Sequence, residues 1–169
     1  MDVEKKLLLL GMLRDQHMHG YQLSEMLAKN AGLSIRLRRS NAYKLLNTME
    51  GDGWITYHEE REGGRPPRRV YAVTAEGEAA FQRLLRKSLA AYPRPEFASI
   101  VPFDFLHELL PQESRALLEK RRAIVASHYD ELDAVPGEIR QAHLSFEYLH
   151  RHYAAELEWL DEVADRLQP

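Results

Sequence analysis

The stretch REGGRPPRRVYAVT, residues 61–74, decides how this chain is read. Two glycines, two prolines and four arginines fall within fourteen residues, and an apolar, strand-like run follows. Three readings compete: a phosphate-cradling loop, a basic linker, and the tip of a hairpin. A phosphate loop of the G-x-x-x-x-G-K-[ST] kind must open a helix. GGRPPRR has no Lys-Ser/Thr pair and leads into a strand. A linker would not be bounded by WITYHEE (54–60) and RRVYAVT (68–74), both rich in β-branched and aromatic residues. The hairpin tip fits. Gly63 and Gly64 permit a tight turn. Pro66 and Pro67 fix φ and lack an N–H, which is harmless at an exposed tip. Their stiffness lowers the entropy lost if Arg65, Arg68 and Arg69 settle on phosphates. The tip is longer than most hairpin loops, and long loops are more often functional.

Upstream, EKKLLLLGMLR (4–14) predicts a helix and HMHG interrupts it. YQLSEMLAKNAG (21–32) predicts a second helix, with Leu23, Met26 and Leu27 on one face. Ser40 is read as the N-cap of a third, which buries Ala42, Leu45, Leu46 and Met49. Asp52-Gly53 ends it. Downstream, Thr74 caps a helix beginning AEGEAAF. The order helix, helix, helix, strand, strand, helix within about 90 residues predicts a winged helix-turn-helix.

YPRPEF (92–97) breaks the chain, since Pro93 and Pro95 forbid a helix across it. The expected organisation is therefore a winged domain over 1–91 and a helical region over 98–169. PFDFLHELLP predicts a short helix, and Pro111 suits the first turn of the next, over 111–134. Leu118, Val125 and Leu132 recur every seven residues along it. A single last helix, the longest, is expected over 138–167. On it Ile139, Phe146, Tyr153, Leu160 and Leu167 recur every seven residues, with Leu149, Leu157 and Val163 between. Such a seam packs on another helix. An intramolecular pairing and a dimer seam are compatible, and the length of the stripe favours dimerisation. The fold class expected is mostly α: an α+β winged helix-turn-helix with a two-stranded wing, then an all-α dimerisation region.

Charge separates the two halves. The net charge of −3 conceals 15 basic against 11 acidic residues over 1–90, and 8 against 15 over 91–169. The first half can approach a polyanion and the second would be repelled by one. The apolar fraction of 44% supports a buried core. There is no cysteine, hence no disulfide or thiolate metal site. The start has no cleavage site of a signal peptide, and a cytoplasmic protein is expected.

The third helix has the makings of a recognition helix. Ser40, Asn41, Tyr43, Lys44 and Asn47 supply donors and acceptors near its start, as major-groove readout demands. Asparagine suits adenine, and lysine suits guanine or phosphate. Arg36, Arg38 and Arg39 precede it in RLRR.

HGYQL (19–23), the spaced residues of 43–55 from Tyr43 through Met49-Glu50 to Gly53-Trp54-Ile55, and GGRPPRRVYAVTAEG (63–77) occur in this order. As a set they resemble the PadR family of transcriptional regulators. The resemblance covers about half the chain. It implies a dimeric winged-helix repressor on a pseudo-palindromic operator in double-stranded DNA, with control by a small aromatic or hydrophobic effector. It also implies that Tyr21, Tyr43, Gly64 and Arg65 contact or position the DNA backbone. Lys44 stands where many members carry proline, and Asn47-Thr48 replaces a commoner charged pair. These departures would alter which operator is read.

Phe97, Phe103 and Trp159 are the candidate lining of an effector pocket, against the plainer reading as core packing. The histidines His17, His19, His143, His150 and His152 form no recognisable ligand set, so no metal is expected. No cofactor loop, nucleophile motif or acid–base pair points to an enzyme. The alternative is a winged-helix protein-interaction module without DNA readout, against which the basic clusters speak.

Overall fold

A computed structural model of the chain describes residues 2–15, 18–19, 37, 39–61, 68–92 and 94–167. The backbone separates into two compact units, Met1–Arg94 and Pro95–Pro169. The expected second helix, 21–32, and the hairpin tip lie outside the described residues.

Unit 1 opens with α1, Asp2–Asp15. Leu9, Leu10 and Leu13 of α1 are fully buried. The leucines run consecutively rather than on one stripe, as suits a helix covered on more than one side. Strand β1, Met18–His19, precedes α2, Arg39–Gly51. Strands β2, Ile55–Glu60, and β3, Arg68–Val73, lead to α3, Ala75–Ala90. The sheet order is β1-β3-β2, all antiparallel. The wing hairpin β2-β3 is two-stranded as expected, and a two-residue strand joins its sheet, because HMHG pairs Met18 with Tyr71 and His19 with Val70. That pairing depends on long-range contact and leaves no mark in so short a run.

α2 begins at Arg39, so Ser40 is in the first turn and is not the cap. Its other end is a Schellman closure. Gly53 donates to the Glu50 carbonyl at 2.9 Å and Trp54 to that of Met49 at 2.8 Å. Gly53 has φ +73°, the left-handed conformation that glycine adopts without strain. Ala42, Leu46 and Met49 of α2 join Leu9, Leu10, Leu13, Leu37, Ile55, Tyr71 and Ala80 in one core. Each large apolar side chain so buried contributes about 1.5–3 kcal/mol.

Unit 2 starts with a 3-10 helix, Ala98–Glu108, with Pro102 inside it. It begins before the helix expected from PFDFLHELLP. Helix α4, Pro111–Asp133, has Pro111 at its first turn. The expected single helix over 138–167 is two: α5, Gly137–Ala142, and α6, Leu144–Arg166. The chain turns at His143, which has an extended backbone, φ −127° and ψ 102°. α6 is 23 residues, the same length as α4, so the last helix is not the longest.

α4 and α6 pack on each other. Leu118, Val125 and Leu160 form the core between them, with Tyr153, Leu157, Val163 and Leu167 against it. The heptad row expected to meet a second copy is thus largely engaged within one chain. Arg121 of α4 ties the unit together. It donates to the Glu156 carboxylate at 2.7 and 3.2 Å and to the Ser99 carbonyl at 2.7 Å. Arg122 forms a fork with Asp161, at 2.6 and 3.0 Å. No helix among the described residues is long and apolar enough to cross a membrane.

Candidate nucleic-acid interface

α2 buries one stripe, Ala42, Leu46 and Met49, and exposes the opposite one. Ser40, Lys44 and Asn47, at i, i+4 and i+7, are exposed, and Asn41 is exposed beside them. Tyr43 departs from this group: it is half-buried and packs on the core. No acid occupies the first turn of α2. The first acid is Glu50 in the last turn, and Asp52 just beyond it accepts from Lys6 of α1 at 3.2 Å. The N-terminal half of this face is therefore free of negative charge.

The base of the wing is fastened to the end of α2. Thr74 Oγ1 donates to the Gly53 carbonyl at 2.6 Å and accepts from the Gly77 N–H at 3.0 Å, capping α3. The Thr74 N–H donates to the Trp54 carbonyl at 3.0 Å. Lys6 Nζ lies 4.7 Å from the centre of the Trp54 ring. Four elements thus converge on the turn Asp52-Gly53-Trp54.

The hairpin register sets Glu60 opposite Arg68 and Glu59 opposite Arg69. Adjacent strand residues point to opposite faces, so these two arginines diverge. Arg69 shares a face with Tyr57 and Tyr71, whose rings are 5.9 Å apart. Its guanidinium lies 4.2 Å from the centre of the Tyr57 ring. A hydrogen bond with Tyr71 and the nearby Tyr57 favour its charged form still further. Arg68 is half-buried on the other face, with a partner of its own. Both arginines stand out in the sequence as candidate phosphate contacts, and the structure places them on opposite faces of β3. Sequence reasoning missed the tyrosines that carry Arg69, because the register needs the loop geometry. A tyrosine two residues after Arg69 in its own strand, and a second in the preceding strand run, were the available signal.

Tyr21, Arg36, Arg38, Gly64 and Arg65 lie outside the described residues. The backbone of Arg39 opens α2. In unit 2, Phe103 and Trp159 meet edge to face at 4.6 Å, with the Arg121 guanidinium 4.8 Å over Phe103. Phe97 is exposed. Among the described residues no group of three or more His, Asp or Glu could hold a metal ion.

A single helix face open to a polyanion, with a basic hairpin at its side, sets the chain among winged-helix DNA-binding transcriptional regulators. Residues 9–83 match the model of the transcriptional regulator PadR-like family, a family of regulators rather than enzymes, and over that segment the chain is similar to it. It is 24% identical over 181 residues to the probable transcriptional regulator Rv1176c of Mycobacterium tuberculosis, with 95% of each chain covered. The structure of Bacillus subtilis PadR in complex with operator DNA is similar, with a TM-score of 0.80 at 18% identity. The match covers 96% of this chain and 98% of that one. PadR in complex with p-coumaric acid gives a TM-score of 0.74 at 18% identity, over 96% and 97% of the two chains.

Proposed function

We propose that the chain is a cytoplasmic, dimeric repressor that reads a pseudo-palindromic operator and releases it on binding a small effector. One observation carries the DNA-reading part. Ser40, Asn41, Lys44 and Asn47 offer exposed side chains that no described residue engages, on the face opposite a fully buried stripe. Exposed polar groups on a helix suit base edges in the major groove. Arg36, Arg38, Arg39 and the wing arginines would supply the phosphate contacts that position it. A two-fold dimer would set two such helices in successive major grooves, roughly 34–36 Å apart.

Residues 1–91 bind DNA in this reading, and 98–169 dimerise. Because Leu160 and its neighbours are engaged inside the protomer, the dimer draws on apolar residues still uncovered. Leu117 and Ile124 are 46% and 59% exposed, one residue before Leu118 and Val125 in the row that α6 covers. Ile139 is also exposed, while Phe146 and Leu149 are half-buried. The p-coumaric acid complex of Bacillus subtilis PadR supports a small aromatic effector as the class.

The test is selection from a random duplex pool by the purified chain, followed by sedimentation with the enriched duplex. An inverted repeat bound by two chains is expected. Enrichment of no motif, or binding as a monomer, refutes the reading.

A further inference from the structure

Unit 2 holds an open cleft of about 450 Å³ where the start of α4 meets the end of α6, with Leu110 and Ala116 exposed at its rim. Leu110, Pro111, Ala116 and Leu167 make its mainly apolar wall. Arg115 and Glu119 bring charge to it. None of the aromatic trio Phe97, Phe103 and Trp159 lines it. Clefts that bind small molecules run from about 300 to 1,000 Å³ and combine apolar walls with a few polar groups.

Arg115 is the informative residue. It is half-buried, yet it makes no hydrogen bond, ion pair or ring contact with any described residue. Glu119 is one turn along the same helix, but the two side chains do not pair. Asp161, on the adjoining groove, is held by Arg122. Asp165 there has a partner of its own. Arg121 and Arg122, further along α4, each donate two hydrogen bonds to a carboxylate. A guanidinium left partly desolvated beside an apolar wall favours an anionic group against it. Exposed Glu119 at the mouth disfavours a second negative charge.

We propose that this cleft is a binding site for an amphiphilic monocarboxylate, with its apolar body against Leu110, Ala116 and Leu167 and its carboxylate on Arg115. The proposal goes beyond the DNA-reading function and does not depend on it, because binding is read directly without DNA.

The test is calorimetric titration of the full chain with three probes of one length: octanoate, 1-octanol and octanedioate. Octanoate is expected to bind saturably at one site per chain, at least tenfold tighter than either of the others. Arg115→Gln should weaken octanoate at least tenfold and leave octanol unchanged. Glu119→Gln should bring octanedioate close to octanoate. Ala116→Trp should fill the cleft and abolish binding. Among the described residues none of the three has a partner that the fold needs, and an unchanged thermal midpoint checks each variant. Equal octanoate affinity in the parent chain and Arg115→Gln overturns the proposal, as does non-saturable uptake that Ala116→Trp leaves intact.

Discussion

The Thr74 hydroxyl joins the end of one helix to the start of the next, donating to the Gly53 carbonyl at 2.6 Å while it accepts from Gly77 N–H. The first bond satisfies a carbonyl in the turn that ends α2. The second satisfies one of the orphan donors at the start of α3. Thr74→Val keeps the β-branched shape and loses both bonds, so it should cost about 1–2 kcal/mol in urea unfolding. Thr74→Ser should recover most of that loss. Equal midpoints for Val and Ser would show that shape, not the hydroxyl, matters.

Gly77 is demanded by the same junction. A Cβ there would lie 1.8 Å from the Trp54 carbonyl oxygen and 2.9 Å from Val73 Cγ1. The obstacle is backbone, so the turn itself must move. Gly77→Ala should cost about 1–3 kcal/mol, even though alanine favours a helix elsewhere. Gly51, with nothing within 4 Å of its Cβ position, is the control: Gly51→Ala should be neutral or stabilising.

Acid dependence follows from two ion pairs. The Arg14 guanidinium holds the Glu78 carboxyl below the usual range, and Arg122 does the same to Asp161. A carboxyl with a depressed folded value adds stability above its unfolded value, about 3.9–4.3 for Asp and Glu. That stability is lost as pH falls through the depressed folded value. Both pairs are solvent-exposed, so the contribution is small and weakened by salt. Unfolding midpoints at pH 6 and pH 3 should differ less in Arg14→Gln with Arg122→Gln than in the parent chain. An undiminished difference would leave other carboxylates responsible.

The sequence shows the winged unit because its signals are local. Thr74, Asp52-Gly53 and the strand runs 54–60 and 68–74 each announce themselves within a few residues. The structure starts and ends the paired strands within a residue of them. What stays hidden depends on partners far apart. Lys6 meets Asp52 and Trp54 across 46 and 48 positions, and Arg121 meets Glu156 across 35. The last helix misleads for a related reason. A heptad row continues through His143, yet Pro136-Gly137 and the extended His143 let the chain turn twice. Periodicity reports which face is apolar and is silent about which helix covers it.

The wing should reveal itself in the salt dependence of DNA binding. Arg65→Ala with Arg68→Ala should weaken specific and random duplexes alike. The slope of log affinity against log salt should drop by up to about 0.9 for each phosphate that is no longer neutralised. An unchanged slope removes the wing from the DNA interface. Tyr57→Leu removes the ring beneath Arg69 and should weaken binding less than Arg69→Ala, because the charge persists.

Asn41 is expected to read sequence. It is exposed at the start of α2 on the acid-free end of the helix. Asn41→Ala should relax preference at one base pair of each half-site by about 1–3 kcal/mol. Affinity for random duplex should hardly change. Equal losses on every sequence would make Asn41 a backbone contact.

Two sets of apolar residues in unit 2 separate folding from assembly. Leu160 is 1% exposed, in contact with the buried Leu118 and Val125. Leu160→Ala should therefore cost about 2–5 kcal/mol of stability, whether or not the chain is a dimer. Leu117 and Ile124 stand exposed on the neighbouring row. Leu117→Asp with Ile124→Asp should leave helicity and the thermal midpoint of a dilute monomer intact. In sedimentation the same variant should abolish the proposed dimer, since carboxylates there would be buried unpaired at a two-fold interface. A dimer that survives this double change, and dissociates instead with Leu144→Asp and Tyr148→Asp, would move the interface to the exposed residues of α6.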